Sequence, residues 1–129
     1  PQRQLKQLTY PTMAPPKRAL IAVTSAHAPL YPDNKETGYF ITEVLHPYKV
    51  FKEAGFEVDL ASETGKGQPD WLSQTDDWLP AEDRKIYEDK SGEFRQKLDN
   101  MLKASEVDPS KVRFFYTLMS DVAAGAGLM

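Results

Sequence analysis

Apolar and polar residues alternate along the first half of the chain with the periods of a strand, a helix and a second strand. The run Arg18–Val23 is short and continuously apolar, which is typical of a strand buried on both faces of a parallel sheet. From Thr37 to about Ala54 the apolar residues recur at helical spacing, with Thr37 available as N-cap and Gly55 placed to end the helix. Residues 56–60 then alternate, which predicts a second strand and a parallel, right-handed βαβ unit. The apolar arc of the predicted helix consists of Phe40, Ile41, Val44, Leu45, Tyr48 and Phe51.

The second half of the chain continues the alternation of elements after a long loop at residues 62–79. Pro80 opens a short polar helix that runs through Tyr87. Residues 91–104 carry apolar side chains at i, i+4, i+7 and i+8, which predicts an amphipathic helix. Residues 112–119 predict a third strand. The fold class is therefore α/β.

Composition sets the outer limits of function. The 129 residues are enough for one domain, with 40% hydrophobic and 27% charged residues. The net charge of −3 argues against a nucleic-acid or anionic-membrane surface. The sequence contains no cysteine, which excludes disulfides, thiolate metal sites and a cysteine nucleophile within it. No apolar run approaches the roughly 18–20 residues of a membrane span. We expect the protein to lie in the cytoplasm.

Three segments differ in character. Residues 1–16 are polar and punctuated by proline, so we expect a disordered leader. Residues 17–119 form the predicted α/β domain. Residues 120–129 are small and patternless, and we expect an irregular tail.

Glu43 is the first candidate for chemistry because it lies on the border of the apolar face of the predicted helix. Counting 100° per residue places it beside Phe40, Pro47 and Val50. Pro47 has no N–H for the Glu43 carbonyl and pushes His46 away from helical geometry, so we expect a kink on this turn. A carboxylate with one apolar flank is expected to have a raised pKa, which suits general acid/base work. The residues alone nevertheless favour a structural glutamate that reaches solvent.

The remaining candidates are weaker. His27 and His46 lack metal-ligand spacing; His27 follows a strand's carboxyl end, where open sheets bind ligands, but surface or helix-packing roles are favoured for both. The segment "SETGKGQ" lacks the order of a phosphate loop. Trp71 and Trp78 are expected to cover the sheet edge rather than to line a groove. The acidic residues expected to form a solvated face are Asp76, Asp77, Glu82 and Asp83.

Over about residues 13–117 the sequence resembles the fungal, heat-shock-type, glutathione-independent glyoxalases (D-lactate dehydratases) of the ThiJ/PfpI superfamily. The resemblance is carried by "RALIAVTSAHAPLY" and by "TGYFITEVLHPYKVFKEAGFEVDLASETGKG". It implies the N-terminal part of a flavodoxin-like, class I glutamine amidotransferase-like sandwich with about three parallel strands. It also implies conversion of methylglyoxal to D-lactate without a metal or other cofactor. Stress-linked or chaperone functions and assembly into a homodimer are further expectations from the resemblance.

The resemblance assigns Glu43 as the catalytic acid/base beside a nucleophilic cysteine and the histidine that follows it. This chain contains neither of those two residues, because it has no cysteine and no histidine after His46. A covalent mechanism cannot run without its nucleophile, so we expect the chain as given to be inactive. The alternatives are a non-catalytic pseudoenzyme or a holdase-type chaperone that binds clients through exposed apolar surface. A third possible function, binding of a flavin or a nucleotide, is supported only by the fold class, and a fold does not imply a function.

Overall fold

The structure, a computed structural model, describes residues 17–117. The leader predicted for residues 1–16 and the tail predicted for 120–129 lie outside this range. The strands are β1 (Arg18–Ala22), β2 (Ala28–Pro29), β3 (Glu36–Thr37), β4 (Glu57–Ser62), β5 (Leu102–Lys103) and β6 (Phe114–Thr117). The helices are α1 (Ile41–Glu53), α2 (Ala81–Glu88) and α3 (Glu93–Asp99).

Four strands form one parallel sheet in the order β5-β4-β1-β6, and β2 and β3 form a separate antiparallel pair. The central pair aligns Arg18 with Glu57 and Ala22 with Ala61. The predicted α/β class and the parallel pairing of the first two long strands are therefore confirmed. β6 pairs with the other side of β1, so the third long strand joins the same sheet.

The first helix differs from the prediction at its start. α1 begins at Ile41 after Phe40, and no side chain caps it, so Thr37 is not the N-cap. Thr37 lies instead in β3, fully buried, and its hydroxyl group donates to Asp70 at 2.7 Å. The predicted displacement of His46 from helical geometry is also wrong, because α1 continues as one helix through Pro47.

The second half contains two further differences. The amphipathic helix predicted for residues 91–104 is shorter, because Asn100 leaves helical geometry (φ −132°, ψ 50°) and ends α3 at Asp99. Leu102 then pairs with Ala61 in the short strand β5, so the sheet has four strands rather than about three. α2 matches its prediction within one residue.

The core lies between one face of the sheet and the helices. Ala19, Ile21, Val58 and Leu60 alternate along β1 and β4 and are almost completely buried. The helical residues of the same cluster are Ile41, Val44, Leu45 and Tyr48 of α1 and Phe94 and Leu98 of α3. The Tyr48 and Phe94 rings meet edge to face at 5.1 Å, which joins α1 to α3. Glu43 is therefore carried by a helix that the core holds against the sheet.

Candidate active site

Glu43 lies on the first turn of α1, at the end of the sheet where the parallel strands terminate. The other end of α1 is held beside the start of β1, because the Lys17 ammonium group donates to the carbonyl of Ala54 at 3.1 Å. α1 therefore runs against the strand direction, and its first turn reaches the carboxyl ends of β1 and β4. Ligands of open α/β sheets bind at this edge.

A shallow apolar groove connects α1 with β6 just below Glu43. The groove is lined by His46, Pro47, Val50, Phe51 and Tyr116. Glu43 and Pro47 are four residues apart and so share one face of the helix. The Glu43 side chain is exposed, one helical turn beyond the groove, on the side toward which β6 runs.

His46 connects two helices and is not part of a group of metal ligands. Its Nε2 lies 2.8 Å from Oδ2 of Asp83, and Nζ of Lys49 lies 3.2 Å from Oδ1 of the same carboxylate. Asp83 is only 2% exposed, so its assignment to a solvated acidic face is wrong. Burial by itself raises the pKa of Asp83, but the hydrogen bonds from His46 and Lys49 outweigh it and hold that pKa below its ordinary value. The helix-packing role favoured for His46 is therefore what the structure shows.

His27 lies at the surface beside the carboxyl ends of β1 and β4. Its Nδ1 is 2.6 Å from Oε1 of Glu36, which pairs two exposed side chains across the β2–β3 hairpin. This hydrogen bond lowers the pKa of the Glu36 carboxyl. Ser25, Lys66 and Gln68 line a cavity together with His27. The structure does not bring His27 into contact with His46 or with the groove.

The two tryptophans support the loops that enter α1. The Trp78 ring is half exposed and meets the ring of Phe40 edge-on at 5.5 Å. The Trp71 ring lies 5.2 Å from that of Tyr31. Both ring contacts involve loop residues, and the edge-covering role expected for the tryptophans stays a prediction.

Asp70 is a buried polar residue that the sequence reasoning missed. Its carboxylate is completely buried and accepts hydrogen bonds from the side chains of Tyr31 and Thr37. The sequence signal was the Asp-x-x-Ser spacing of Asp70 and Ser73, which allows the carboxylate to accept the Ser73 amide at 3.0 Å. Among residues 17–117 no cluster of three or more potential metal ligands is found. The same residues contain no helix long and apolar enough to cross a membrane.

No protein-family model matches the chain, but individual proteins do. The chain is 41% identical over 99 residues to glyoxalase 3 of Candida albicans, an alignment that covers 77% of the chain and 42% of that protein. It is 42% identical over 96 residues to the glutathione-independent glyoxalase hsp3102 of Schizosaccharomyces pombe, covering 74% and 40% respectively. The crystal structure of Candida albicans glyoxalase III superposes with a TM-score of 0.77 at 39% identity, over 82% of the chain and 44% of that structure.

The chain is homologous to the fungal glutathione-independent glyoxalases. The family resemblance stated from the sequence and the ThiJ/PfpI-type α/β fold are thereby confirmed. The chain spans about two fifths of the length of these glyoxalases. The matched region is the part of the domain that contains α1 and the parallel sheet. The role of Glu43 stays a prediction.

Proposed function

We propose that this chain is the part of a glutathione-independent glyoxalase domain that supplies the acid/base residue, Glu43. The observation that carries the proposal is the placement of Glu43 on the first turn of α1, above the groove that α1 forms with β6. Chain that continues from Thr117 would leave β6 at this edge of the sheet. The nucleophilic residue that the family resemblance implies after β6 would therefore lie beside Glu43.

The proposed reaction converts methylglyoxal and water to D-lactate, with a cysteine taking the place of glutathione. The thiol adds to the aldehyde carbon and forms a hemithioacetal. A base then removes the proton from that carbon to give an enediol. A proton is returned to the former keto carbon and the hydroxyl proton passes from the first oxygen to the second, which yields a lactoyl thioester. Water hydrolyses the thioester and regenerates the thiol. Glu43 would perform the proton transfer, a role suited to a carboxylate at a ligand-binding edge.

The 129 residues alone should not catalyse this reaction, because they contain no thiol to form the thioester. Incubation of the purified chain with methylglyoxal, followed by a stereospecific D-lactate assay, should show no product above the protein-free rate. D-lactate formation by the chain would disprove the proposed dependence on a cysteine.

A chimera tests the role of Glu43 itself. Residues 1–117 are joined to the part of Candida albicans glyoxalase 3 that follows its equivalent region, and D-lactate formation is measured. In this protein Glu43→Gln should reduce kcat by about 10²–10⁴-fold, the usual contribution of general acid/base catalysis. Glu53→Gln is the matched control, since Glu53 is also exposed and ends the same helix about 15 Å away. Full activity of an active chimera carrying Glu43→Gln would contradict the assignment.

Holdase-type binding is the second candidate function. It is favoured by the exposure of three neighbouring aromatic residues on β6, namely Phe114, Phe115 and Tyr116. Phe115 lies on the face of β6 opposite to Phe114 and Tyr116, and its exposed ring is the apolar surface proposed to bind a partly unfolded client. Equimolar chain should then suppress the heat-induced light scattering of a thermolabile client, and Phe115→Lys should weaken that suppression. Unchanged client scattering in the presence of the chain would dispose of this candidate.

A further inference from the structure

Asp70 joins its own loop to two segments that lie 33 and 39 residues earlier in the chain. Oδ2 accepts the Tyr31 hydroxyl at 2.8 Å and the Thr37 hydroxyl at 2.7 Å, and Oδ1 accepts the Ser73 amide at 3.0 Å. All three partners donate, which is the pattern that an ionised carboxylate requires. Asp70 therefore ties the turn after β2, strand β3 and the long loop to one another.

The burial of Asp70 is costly, which indicates a specific role. The residue is 0% exposed, and no salt bridge to it is found among residues 17–117. A buried carboxylate without a cation is stable only when its hydrogen bonds are complete, and loss of one donor leaves an uncompensated acceptor. The geometry around Asp70 is therefore sensitive to each of its partners.

Backbone hydrogen bonds extend this connection to the entry of α1. The Tyr39 amide donates to Gln68 O at 2.9 Å, the Asp70 amide to Tyr39 O at 2.7 Å, and the Trp71 amide to Glu36 O at 2.9 Å. The two segments are so close that a Cβ on Gly38 would lie 1.9 Å from Gln68 O. Residues 36–39 are thus fixed along the loop.

The fixed segment leads directly into the helix that carries Glu43. Phe40 follows it, and its carbonyl accepts the amides of Glu43 at 3.1 Å and Val44 at 3.3 Å. No side chain caps α1. Besides the core contacts of Ile41 and Val44, the position of the first turn therefore depends on how residues 36–39 are held and not on a local cap.

We propose that Asp70 is a positioning residue for Glu43. It holds residues 36–39 against the loop and so sets the place of the first turn of α1, acting through Thr37 and the backbone and not by contact with substrate. The catalytic meaning of this position rests on the proposed function of Glu43, whereas the structural coupling does not.

The test uses the 129-residue chain and a hydroxyl deletion that conserves shape. Thr37→Val removes one donor to Asp70, Thr37→Ser retains it, and Ser62→Ala deletes a different buried hydroxyl whose partner is Lys66 O at 2.6 Å. Amide hydrogen exchange is followed by NMR, together with the ¹³C resonance of the Glu43 carboxyl group. Asp70→Asn is measured alongside as the stronger variant.

In Thr37→Val the amides of Tyr39, Asp70 and Val44 should exchange about tenfold faster than in the unchanged chain, as expected for one lost hydrogen bond to a charged group. The Glu43 carboxyl resonance should move, and amides at the end of α1 near Glu53 should keep their rates. Thr37→Ser should restore the original values, and Ser62→Ala should leave Glu43 unmoved. Uniform acceleration throughout the chain, or an unmoved Glu43 resonance in Thr37→Val, would overturn the proposal.

Activity in the chimera separates the two proposals. Thr37→Val should lower kcat several-fold with little change in KM, because Glu43 is displaced while the substrate pocket remains. If the unsubstituted chimera has no glyoxalase activity, the proposed function fails, and the exchange and resonance data still decide the role of Asp70. If Glu43→Gln abolishes the activity of the chimera and exchange responds to Thr37→Val, but Thr37→Val leaves kcat unchanged, Asp70 holds the loop without positioning Glu43, and the proposal is wrong.

Discussion

Nε2 of His46 lies 2.8 Å from Oδ2 of Asp83, which joins an exposed imidazole on α1 to an almost completely buried carboxylate on α2. Lys49, one turn further along α1, contacts the other oxygen of Asp83 at 3.2 Å. One carboxylate therefore receives two donors from the same face of α1. This contact fixes α2 beside the helix that carries Glu43.

Replacement of Asp83 should destabilise the chain. Asp83→Asn removes the charge that pairs with His46 and Lys49, and a lost charge-assisted contact of a buried carboxylate costs about 2 kcal/mol. Urea unfolding at neutral pH measures the change in the free energy of unfolding. Asp77→Asn, at an exposed position near the start of the same helix, is the control and should change it by less than about 0.5 kcal/mol. Equal effects of the two substitutions would refute the role of the His46–Asp83 contact.

Stability should fall in acid because several carboxyl groups have lowered pKa values in the folded chain. Burial raises the pKa of Asp59, but hydrogen bonds from Lys97 and Arg18 outweigh it, so the net direction is downward, as for Asp83. The Tyr48 hydroxyl and Lys52 lower the pKa of Glu93. A carboxyl whose folded pKa lies below its unfolded value stabilises the fold above the unfolded value and loses that contribution as pH falls through the folded value.

The ordinary values are 3.8 for aspartate and 4.5 for glutamate, so the decline should begin near pH 4.5 and continue below pH 3.8. Urea midpoints measured from neutral pH downward should stay nearly constant until that range and then decrease. Asp83→Asn should show a shallower decline, because one of the titrating groups is gone. A midpoint that rises on acidification would contradict the lowered pKa values of these carboxyl groups.

Gly38 should not tolerate a side chain. An added Cβ would lie 1.9 Å from Gln68 O and 2.9 Å from Gln68 C, both backbone atoms that cannot turn away. Gly38→Ala should therefore cost more than about 3 kcal/mol or prevent folding. Gly55→Ala is the comparison, because an added Cβ would meet only Lys17 Nζ at 3.5 Å, an ordinary contact, but Gly55 has a φ of 85°. It should cost about 1 kcal/mol through backbone strain alone. Thermal unfolding followed by circular dichroism would distinguish these two costs, and equal losses would contradict the steric argument.

The sequence predicted those elements whose cause is local. The apolar arc of α1 and the alternation in β4 follow from side chains only a few residues apart, and both elements form where their patterns lie. The start of α1 could not be predicted in this way. Thr37 has the chemistry of a helix cap, but its hydroxyl group is used by Asp70, 33 residues later in the chain. A long-range hydrogen bond therefore replaces the local one.

The same limitation explains the errors at Asp83 and Leu102. Asp83 belongs to a run of acidic residues that look alike in sequence, and its burial depends on donors 34 and 37 residues earlier. Leu102 continues the apolar period of α3, yet the backbone turns at Asn100 and places Leu102 in β5, where it remains 44% exposed. For Glu43, periodicity located the residue on α1, whereas the catalytic assignment came from family resemblance alone.

The two phenylalanines at the start of β6 should respond differently to the same substitution. The ring of Phe114 lies 5.5 Å from that of Phe56 and 6.3 Å from that of Phe51, so Phe114→Thr removes aromatic contacts and should cost about 1–2 kcal/mol. Phe115 is about as exposed as Phe114 (55% against 50%), but it points to the opposite face of the strand, and no ring contact of Phe115 is found among residues 17–117. Phe115→Thr should therefore change the free energy of unfolding by less than about 0.5 kcal/mol.

The two substitutions should change aggregation in opposite directions. β6 lies at the edge of the described sheet, and exposed apolar residues on an edge strand promote association between chains. Phe115→Thr should raise the concentration at which light scattering appears on heating, whereas Phe114→Thr should lower it by exposing the contacts of Phe56. If both substitutions lowered stability equally and left the scattering threshold unchanged, the exposed side of β6 would not be the surface through which the chains associate.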